Sequence, residues 1–277
     1  MRSYVPDFHL VAARDLSDAL DYLSHGYQPM AGGTDLMVVF NAGRLNPVPL
    51  VGIRKVRELG EIAVHSDSIE IGAAVTYSEL REHKVVAQEF PLLAQSAGWT
   101  GSIANQNRGT LGGNIANASP AADSSPVLLV YDAQLQLVSA SGKRWLSYSE
   151  FHLGYKALAL QQGELIAAVR LPRMNYAAQY GRKVGTRKAM AISKVSFAST
   201  LRDGIFRIAA GSVAPMPIRC LKTEAFLAEQ RVTTAVIDEA RKVISQDIAP
   251  ISDIRSTRDY RMLVTQNLLA EFLESLL

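Results

Sequence analysis

The stretch Gly109-Thr110-Leu111-Gly112-Gly113-Asn114-Ile115-Ala116-Asn117-Ala118-Ser119-Pro120-Ala121-Ala122-Asp123 limits what this chain can become more than any other. It holds three glycines and mostly small side chains, and no helix or strand period runs through it. It therefore reads as a long loop that builds no core of its own. Glycine at this density suits a backbone that approaches something closely or adopts positive φ. Thr110, Asn114, Asn117, Ser119 and Asp123 add hydroxyl, amide and carboxylate groups. Successive N–H groups in such a loop form an anion-binding concavity, so the expected ligand is polar and carries phosphate. Structureless loops of this length are uncommon unless they have a function. After Asp123, residues 124–131 read as a short buried helix.

A second glycine turn lies upstream, in Met30-Ala31-Gly32-Gly33-Thr34-Asp35-Leu36. The expected local order is a short strand through Met30 and Ala31, a two-glycine turn, and a helix from Thr34 or Asp35. Free N–H groups and the positive end of the helix dipole make this junction a second anion site. A carboxylate is a poor neighbour for phosphate, so Asp35 is read as a helix cap. Before this turn, apolar residues at 16, 19, 20 and 23 share a helical face, with Asp15 as N-cap and Gly26 as stop. Residues 50–53 read as a strand. The first unit thus has the order helix, strand, helix, strand.

Residues 61–75 read as a hairpin turning at Asp67-Ser68. Thr76 and Glu79 fit a capping box ahead of a helix, and 91–97 fit a second helix with Pro91 in its first turn. Strands are expected over 134–138 and 164–171, with a turn at 141–143. Beyond 172 the pattern changes. Strands over 180–184, 191–201 and 205–213 are expected, the last two joined by an Asp203-Gly204 hairpin signal. Ala214-Pro215-Met216-Pro217 breaks the run. Helices follow over 221–229, 233–246 and from about Thr257 onward. The class is α+β, an antiparallel sheet with helices to one side. The expected division is 1–55, 56–172 and 173–277.

A chain of 277 residues exceeds one small core. Its net charge of +3 gives no reason to expect nucleic acid. No apolar run nears the roughly 18 residues that cross a bilayer, so no membrane insertion is expected. The first seven residues lack the apolar region of a secretion signal, and a cytoplasmic location is the simplest expectation. The single cysteine, Cys220, permits no internal disulfide and holds no iron–sulfur cluster alone. His9, His25, His65, His83 and His152 have no metal-ligand spacing and read as surface or turn residues. No G-x-G-x-x-G follows a strand, and Gly181-Arg182-Lys183-Val184-Gly185-Thr186 has the wrong spacing for a P-loop. Redox chemistry, if any, needs a bound cofactor.

"AGGTDL" at 31–36, "GTLGGNIANASPAADSSPVL" at 109–128, "GELIAAVRLP" at 163–172 and "VAPMPIRC" at 213–220 occur in that order. Together they make the chain resemble the FAD-binding, medium subunit of the molybdenum hydroxylases, the family of xanthine dehydrogenase and aerobic carbon monoxide dehydrogenase. The likeness covers essentially the whole chain. It implies two FAD-binding subdomains of vanillyl-alcohol-oxidase-like fold, then a C-terminal α+β domain. It also implies a small 2Fe-2S subunit and a large molybdopterin subunit as partners, which would carry those cofactors. Electrons would reach FAD here from the partner's clusters and leave to NAD, oxygen or a quinone-type acceptor.

Carried over by position, the resemblance places the FAD pyrophosphate between Ala31, Gly32, Gly33, Thr34, Asp35 and Leu36 on one side and Thr110, Gly112, Gly113 and Asn114 on the other. Asn117 and Ser119 would lie close by, and Asp123 would accept from ribityl hydroxyls. Ile166 and Leu165 would pack on the isoalloxazine. Lys183 would stand near the flavin and tune it by favouring the anionic reduced form, with no catalytic residue assigned. One segment departs from the family pattern. Thr100-Gly101-Ser102-Ile103-Ala104-Asn105-Gln106-Asn107 lacks the proline, the isoleucine after it and the arginine found there in the family, on the dimethylbenzene side of the flavin. Two other readings stay open: a free-standing flavin oxidoreductase, and a scaffold that has lost FAD.

Overall fold

A computed structural model of the chain describes residues 8–44 and 48–277. The reading of the first seven residues lies outside them. The chain opens with β1 (Leu10–Ala12), α1 (Leu16–Ser24), β2 (Gln28–Met30), α2 (Leu36–Asn41) and β3 (Leu50–Gly52). Asp15 caps α1 by accepting from the Asp18 N–H, and Gly26 leaves it at φ +84°. The three strands form a parallel sheet in the order β1-β3-β2. β1 is absent from the sequence reading because three residues, two of them exposed, show no alternation.

The middle of the chain runs β4 (Ile62–Val64), β5 (Ser68–Gly72), α3 (Tyr77–Glu82), α4 (Lys84–Glu89), α5 (Pro91–Trp99), α6 (Ile103–Gln106), α7 (Leu111–Ala116), α8 (Ser124–Val130), β6 (Gln134–Ser139), β7 (Gly142–Ser147), β8 (His152–Gly154), β9 (Ala157–Leu158) and β10 (Leu165–Pro172). Thr76 and Glu79 close the capping box. Five strands pair antiparallel in the order β4-β5-β10-β6-β7. β7 starts inside the expected 141–143 turn, so the reversal is tighter than read. The larger correction is α7, which stands within the stretch read as a loop. Leu111 and Ile115 are buried one helical turn apart, and Thr110 caps the helix by accepting from the Gly113 N–H at 3.1 Å. Two apolar residues are too few for a periodicity signal.

The last part comprises β11 (Ala178–Val184), β12 (Val195–Arg202), β13 (Ile205–Gly211), β14 (Ile218–Arg219), α9 (Leu221–Ala228), α10 (Thr234–Ile244) and α11 (Arg258–Glu274). The strands are antiparallel in the order β11-β12-β13-β14. Asp203 and Gly204 both take positive φ, 50° and 75°, as a two-residue hairpin turn requires. β12 begins at Val195 rather than 191, which leaves 191–194 as irregular chain.

Three apolar clusters hold the molecule. α1 and β3 pack Ala19, Leu23, Val51 and Ile53 against Val138, Leu165 and Ala167 of the five-stranded sheet. The opposite side of that sheet, with Leu135, Leu137, Ile166, Val169 and Leu171, packs on α3, α5, α7 and α8. Leu165 and Val169 share sequence parity yet serve different clusters. The register shift between Ile166 and Ala168 explains this, since one extra residue turns the following side chains to the other face. The third cluster lies between β11–β13 and α9–α11. No helix among the described residues is long and apolar enough to cross a membrane.

Candidate functional site

A cavity of about 1210 Å³ opens between the β2–α2 turn, α7, β10 and the C-terminal sheet, and every residue assigned above to FAD lines it. Among the described residues, the N–H groups of Gly32, Gly33, Thr34, Asp35 and Leu36 have no protein acceptor. Five open donors on consecutive residues form a concavity suited to an anion. Gly33 holds it open at φ +74°. Gly32 has a different duty. A Cβ there would stand 1.9 Å from the Arg108 carbonyl oxygen, so this glycine lets two loops touch. The Arg108 Nε returns a bond to the Gly32 carbonyl at 3.3 Å.

Asp35 corrects its reading. It sits at the N-cap position of α2 with helical angles, φ −89° and ψ −47°, and makes no side-chain cap bond. Extended backbone is what lets a cap side chain fold back to the helix N–H groups. Its carboxylate instead accepts from Asn117 Nδ2 at 3.2 Å and stitches the two loops together.

The 110–114 turn also differs from expectation, because it offers no second set of open donors. The N–H of Leu111 bonds Val75 O, that of Gly112 bonds Ala73 O, that of Gly113 bonds Thr110 Oγ1, and that of Asn114 bonds Thr110 O. The turn is the docked start of a helix, and docking uses these groups. Gly112 is glycine because a Cβ would lie 2.5 Å from that of Ala73. A Cβ on Gly113 would lie 2.8 Å from Thr110 Oγ1 and within 4 Å of no other residue's atoms beyond its chain neighbours and its own helix backbone. Asn114, Asn117 and Ser119 border the same space. Lys156 Nζ donates to the carbonyl and side-chain oxygens of Asn117, at 2.9 and 3.0 Å.

Asp123 and Lys183 lie 60 residues apart in sequence and form a buried ion pair of 2.6 Å. The lysine also donates to Trp99 O at 2.8 Å, which anchors the start of the divergent 100–107 segment. Within that segment Ser102 and Asn105 form a capping box of their own. The second carboxylate oxygen of Asp123 accepts from the Ser193 hydroxyl. Burial pushes the Asp123 carboxyl upward, and the Lys183 ammonium and Ser193 hydroxyl pull it back. Lys183 therefore reaches the cavity as half of a pair, and its field on a neighbouring ring is weaker than that of a lone cation. Leu165 and Ile166 are both buried and line the same cavity.

Three site residues escaped sequence reading. Ser193 lay inside an expected strand, where a serine carries no signal. Lys156 stands in the two-residue turn between the short strands β8 and β9, neither of which the sequence announced, and takes φ +56°. Arg261 had a legible clue, since spacings of 4, 3 and 4 to Thr265, Leu268 and Phe272 put it on the buried face of α11. His152 corrects the reading of the histidines as surface or turn residues. It is buried against Tyr148 and Phe151, with Nε2 3.0 Å from the Tyr148 hydroxyl and Nδ1 unpartnered. Burial holds its pKa below the usual imidazole value. Among the described residues no cluster of metal-ligating side chains exists.

Comparison with known proteins bears on this geometry directly. Residues 6–174 match the family model described as the FAD binding domain in molybdopterin dehydrogenase. Residues 181–276 match the CO dehydrogenase flavoprotein C-terminal domain. The xanthine dehydrogenase FAD-binding subunit of Escherichia coli O157:H7 is 30% identical over 266 residues, covering 92% of this chain and 91% of that one. The glyceraldehyde dehydrogenase medium chain of Sulfolobus acidocaldarius is 28% identical, covering 93% and 94%. A chain of the Hydrogenophaga pseudoflava carbon monoxide dehydrogenase structure lacking the Mo-pyranopterin moiety shares the fold, with a TM-score of 0.92 at 24% identity over 98% of this chain and 97% of that one. The matched models span both the glycine-rich cavity walls and the C-terminal sheet, and the chain belongs to the family of FAD-binding subunits of molybdopterin-dependent dehydrogenases.

Proposed function

We propose that this chain binds FAD in the cavity described above and passes electrons from the iron–sulfur clusters of a partner subunit to NAD or another acceptor. It would act within a cytoplasmic complex whose large subunit holds molybdopterin and whose small subunit holds 2Fe-2S clusters. The division into 1–55, 56–172 and 173–277 belongs to this proposal. The observation that carries it is the row of five open N–H donors from Gly32 to Leu36, lining one cavity together with Gly113. The cavity volume suits a ligand of dinucleotide size.

In this reading the Gly32–Leu36 donors hold the diphosphate, and Gly113 keeps the opposite wall free of side chain. Thr110 acts by capping α7 rather than by binding. Asn114, Asn117 and Ser119 supply polar groups along the middle of the site. Asp123 retains lone pairs for ribityl hydroxyls beyond those used by Lys183 and Ser193. Leu165 and Ile166 give an apolar surface for the ring system and exclude water from it. Lys183 places a positive charge there, moderated by Asp123. Bound FAD would supply the ability to accept electrons one at a time and release two together.

Purification of the chain with its natural partners, followed by flavin and metal analysis, tests the reading. The expected result is one FAD on this chain, with molybdenum and iron on the others. A chain that purifies alone, carries FAD and oxidises substrate unaided would replace it with a free-standing flavin enzyme.

A further inference from the structure

Arg261 is a buried cation that the functional reading leaves without a task. It lies near the start of α11 with 3% of its surface exposed. A guanidinium withdrawn from water is costly unless its N–H groups are used. Its Nη1 donates to Lys194 O at 2.6 Å and to Ser212 O at 2.9 Å, and its Nη2 to Asp253 Oδ1 at 2.7 Å. Apart from these bonds, α11 packs on its own domain through Leu268, Leu269, Phe272 and Leu273.

The two carbonyls belong to segments that converge on Asp123. Ser212 holds φ +65°, a conformation uncommon for a residue with a side chain. In that posture its N–H donates to Pro120 O at 2.8 Å and its hydroxyl to Ser193 O at 3.0 Å. The Ser193 hydroxyl in turn donates to the Asp123 carboxylate. Lys194, which offers the other carbonyl, is the neighbour of Ser193. Arg261 thus fixes one residue that grips the Asp123 loop at Pro120; it also holds the residue after the serine that grips the carboxylate, and through Ser212 that serine's own carbonyl.

We propose that Arg261 is a positioning residue for the cofactor cavity, acting through Ser212 and Ser193 to set where the Asp123 carboxylate stands and, with it, the Lys183 ammonium. This rests on the FAD reading. It gives Arg261, on the C-terminal helix, a task in that site.

A double-mutant cycle on FAD affinity tests the relay in the full chain. Arg261→Lys, Ser193→Ala and Ser212→Gly are each combined with Asp123→Asn, and the dissociation constant is read by quenching of flavin fluorescence. Each single substitution is expected to weaken FAD about 10-fold, the scale of one hydrogen bond to a charged group. In the Asp123→Asn background the same substitutions are expected to change affinity less than about twofold. Ser212→Gly removes the hydroxyl and suits the left-handed backbone, so it reports on the relay even where Arg261→Lys fails to fold. Equal losses in both backgrounds would mean that these residues act on the fold alone and would overturn the proposal, as would unchanged affinity in Ser193→Ala and Ser212→Gly. An unsubstituted chain that binds no FAD would remove the functional reading first and this inference with it. A chain that binds FAD without such coupling refutes the relay alone.

Discussion

Breaking the Asp123–Lys183 pair has the most direct consequence for stability. Asp123→Ala leaves the Lys183 ammonium, whose side chain is 10% exposed, with the Trp99 carbonyl as its remaining partner. Removing one member of a buried pair costs about 3–5 kcal/mol, because the other charge stays buried and uncompensated. At about 4 kcal/mol, and roughly 2–4 °C per kcal/mol for domains of this size, the melting temperature should fall by roughly 8–16 °C. Lys183→Met leaves the Asp123 carboxylate as the unpaired buried group, and its cost varies with pH because the carboxyl can take a proton. Burial already holds the Asp123 carboxyl above its unfolded value, and without the ammonium only the Ser193 hydroxyl offsets it, so the folded pKa rises further. Such a carboxyl contributes stability below its unfolded pKa and loses it as pH rises through the folded one. The deficit of Lys183→Met should therefore grow from acid towards neutral pH. The double variant Asp123→Ala/Lys183→Met should lie above the sum of the singles by about 2 kcal/mol or more. Melts of the four proteins across pH provide the assay. Additive losses, or singles within about 0.5 kcal/mol of the parent, would refute the reasoning.

Other substitutions address single contacts. Gly32→Ala should lower the melting temperature and weaken FAD together, since its Cβ meets the Arg108 carbonyl at 1.9 Å; retained stability would show that the loops part easily. Thr110→Ala should cost about 1 kcal/mol through the lost cap of α7, with Thr110→Ser close to the parent in denaturant unfolding. The depressed pKa of buried His152 contributes stability above about pH 6.5 that is lost as pH falls through the folded pKa. The melting temperature should drop from pH 7.5 to 5.5 more in the parent than in His152→Phe, and equal drops would assign the acid sensitivity elsewhere.

The parts legible in the sequence were those written in local chemistry. Asp15, Thr76 with Glu79, and Asp203-Gly204 each mark a backbone event through contacts within four residues, and all three stand where expected. The two glycine turns do line one cavity, although the separate task of each glycine was not legible and the second turn lacks the open donors expected of it. Gly32 and Gly112 are required by neighbouring protein, and this depends on Arg108 and Ala73, which the local pattern does not name. The same holds for α7, whose apolar face is two residues wide. Strands β1 and β14 have three and two residues and are defined by their partners. Long-range pairing was the least legible layer. Lys183 and Asp123 were each singled out, but their mutual neutralisation follows from a tertiary approach between residues 60 apart that no local pattern records. The bulge in β10 was invisible because Leu165-Ile166-Ala167-Ala168-Val169 is apolar throughout and shows no break of alternation.

Titration of the flavin-free chain with FAD, alongside the same titration of Gly113→Leu, tests the central claim most directly. Saturable binding at one site per chain, lost in the variant while its stability falls by no more than the about 1 kcal/mol that the Thr110 cap of α7 supplies, is the expected result. Binding that is equal in both proteins, or absent from both, would contradict a site built between the open Gly32–Leu36 donors and the bare wall at Gly113.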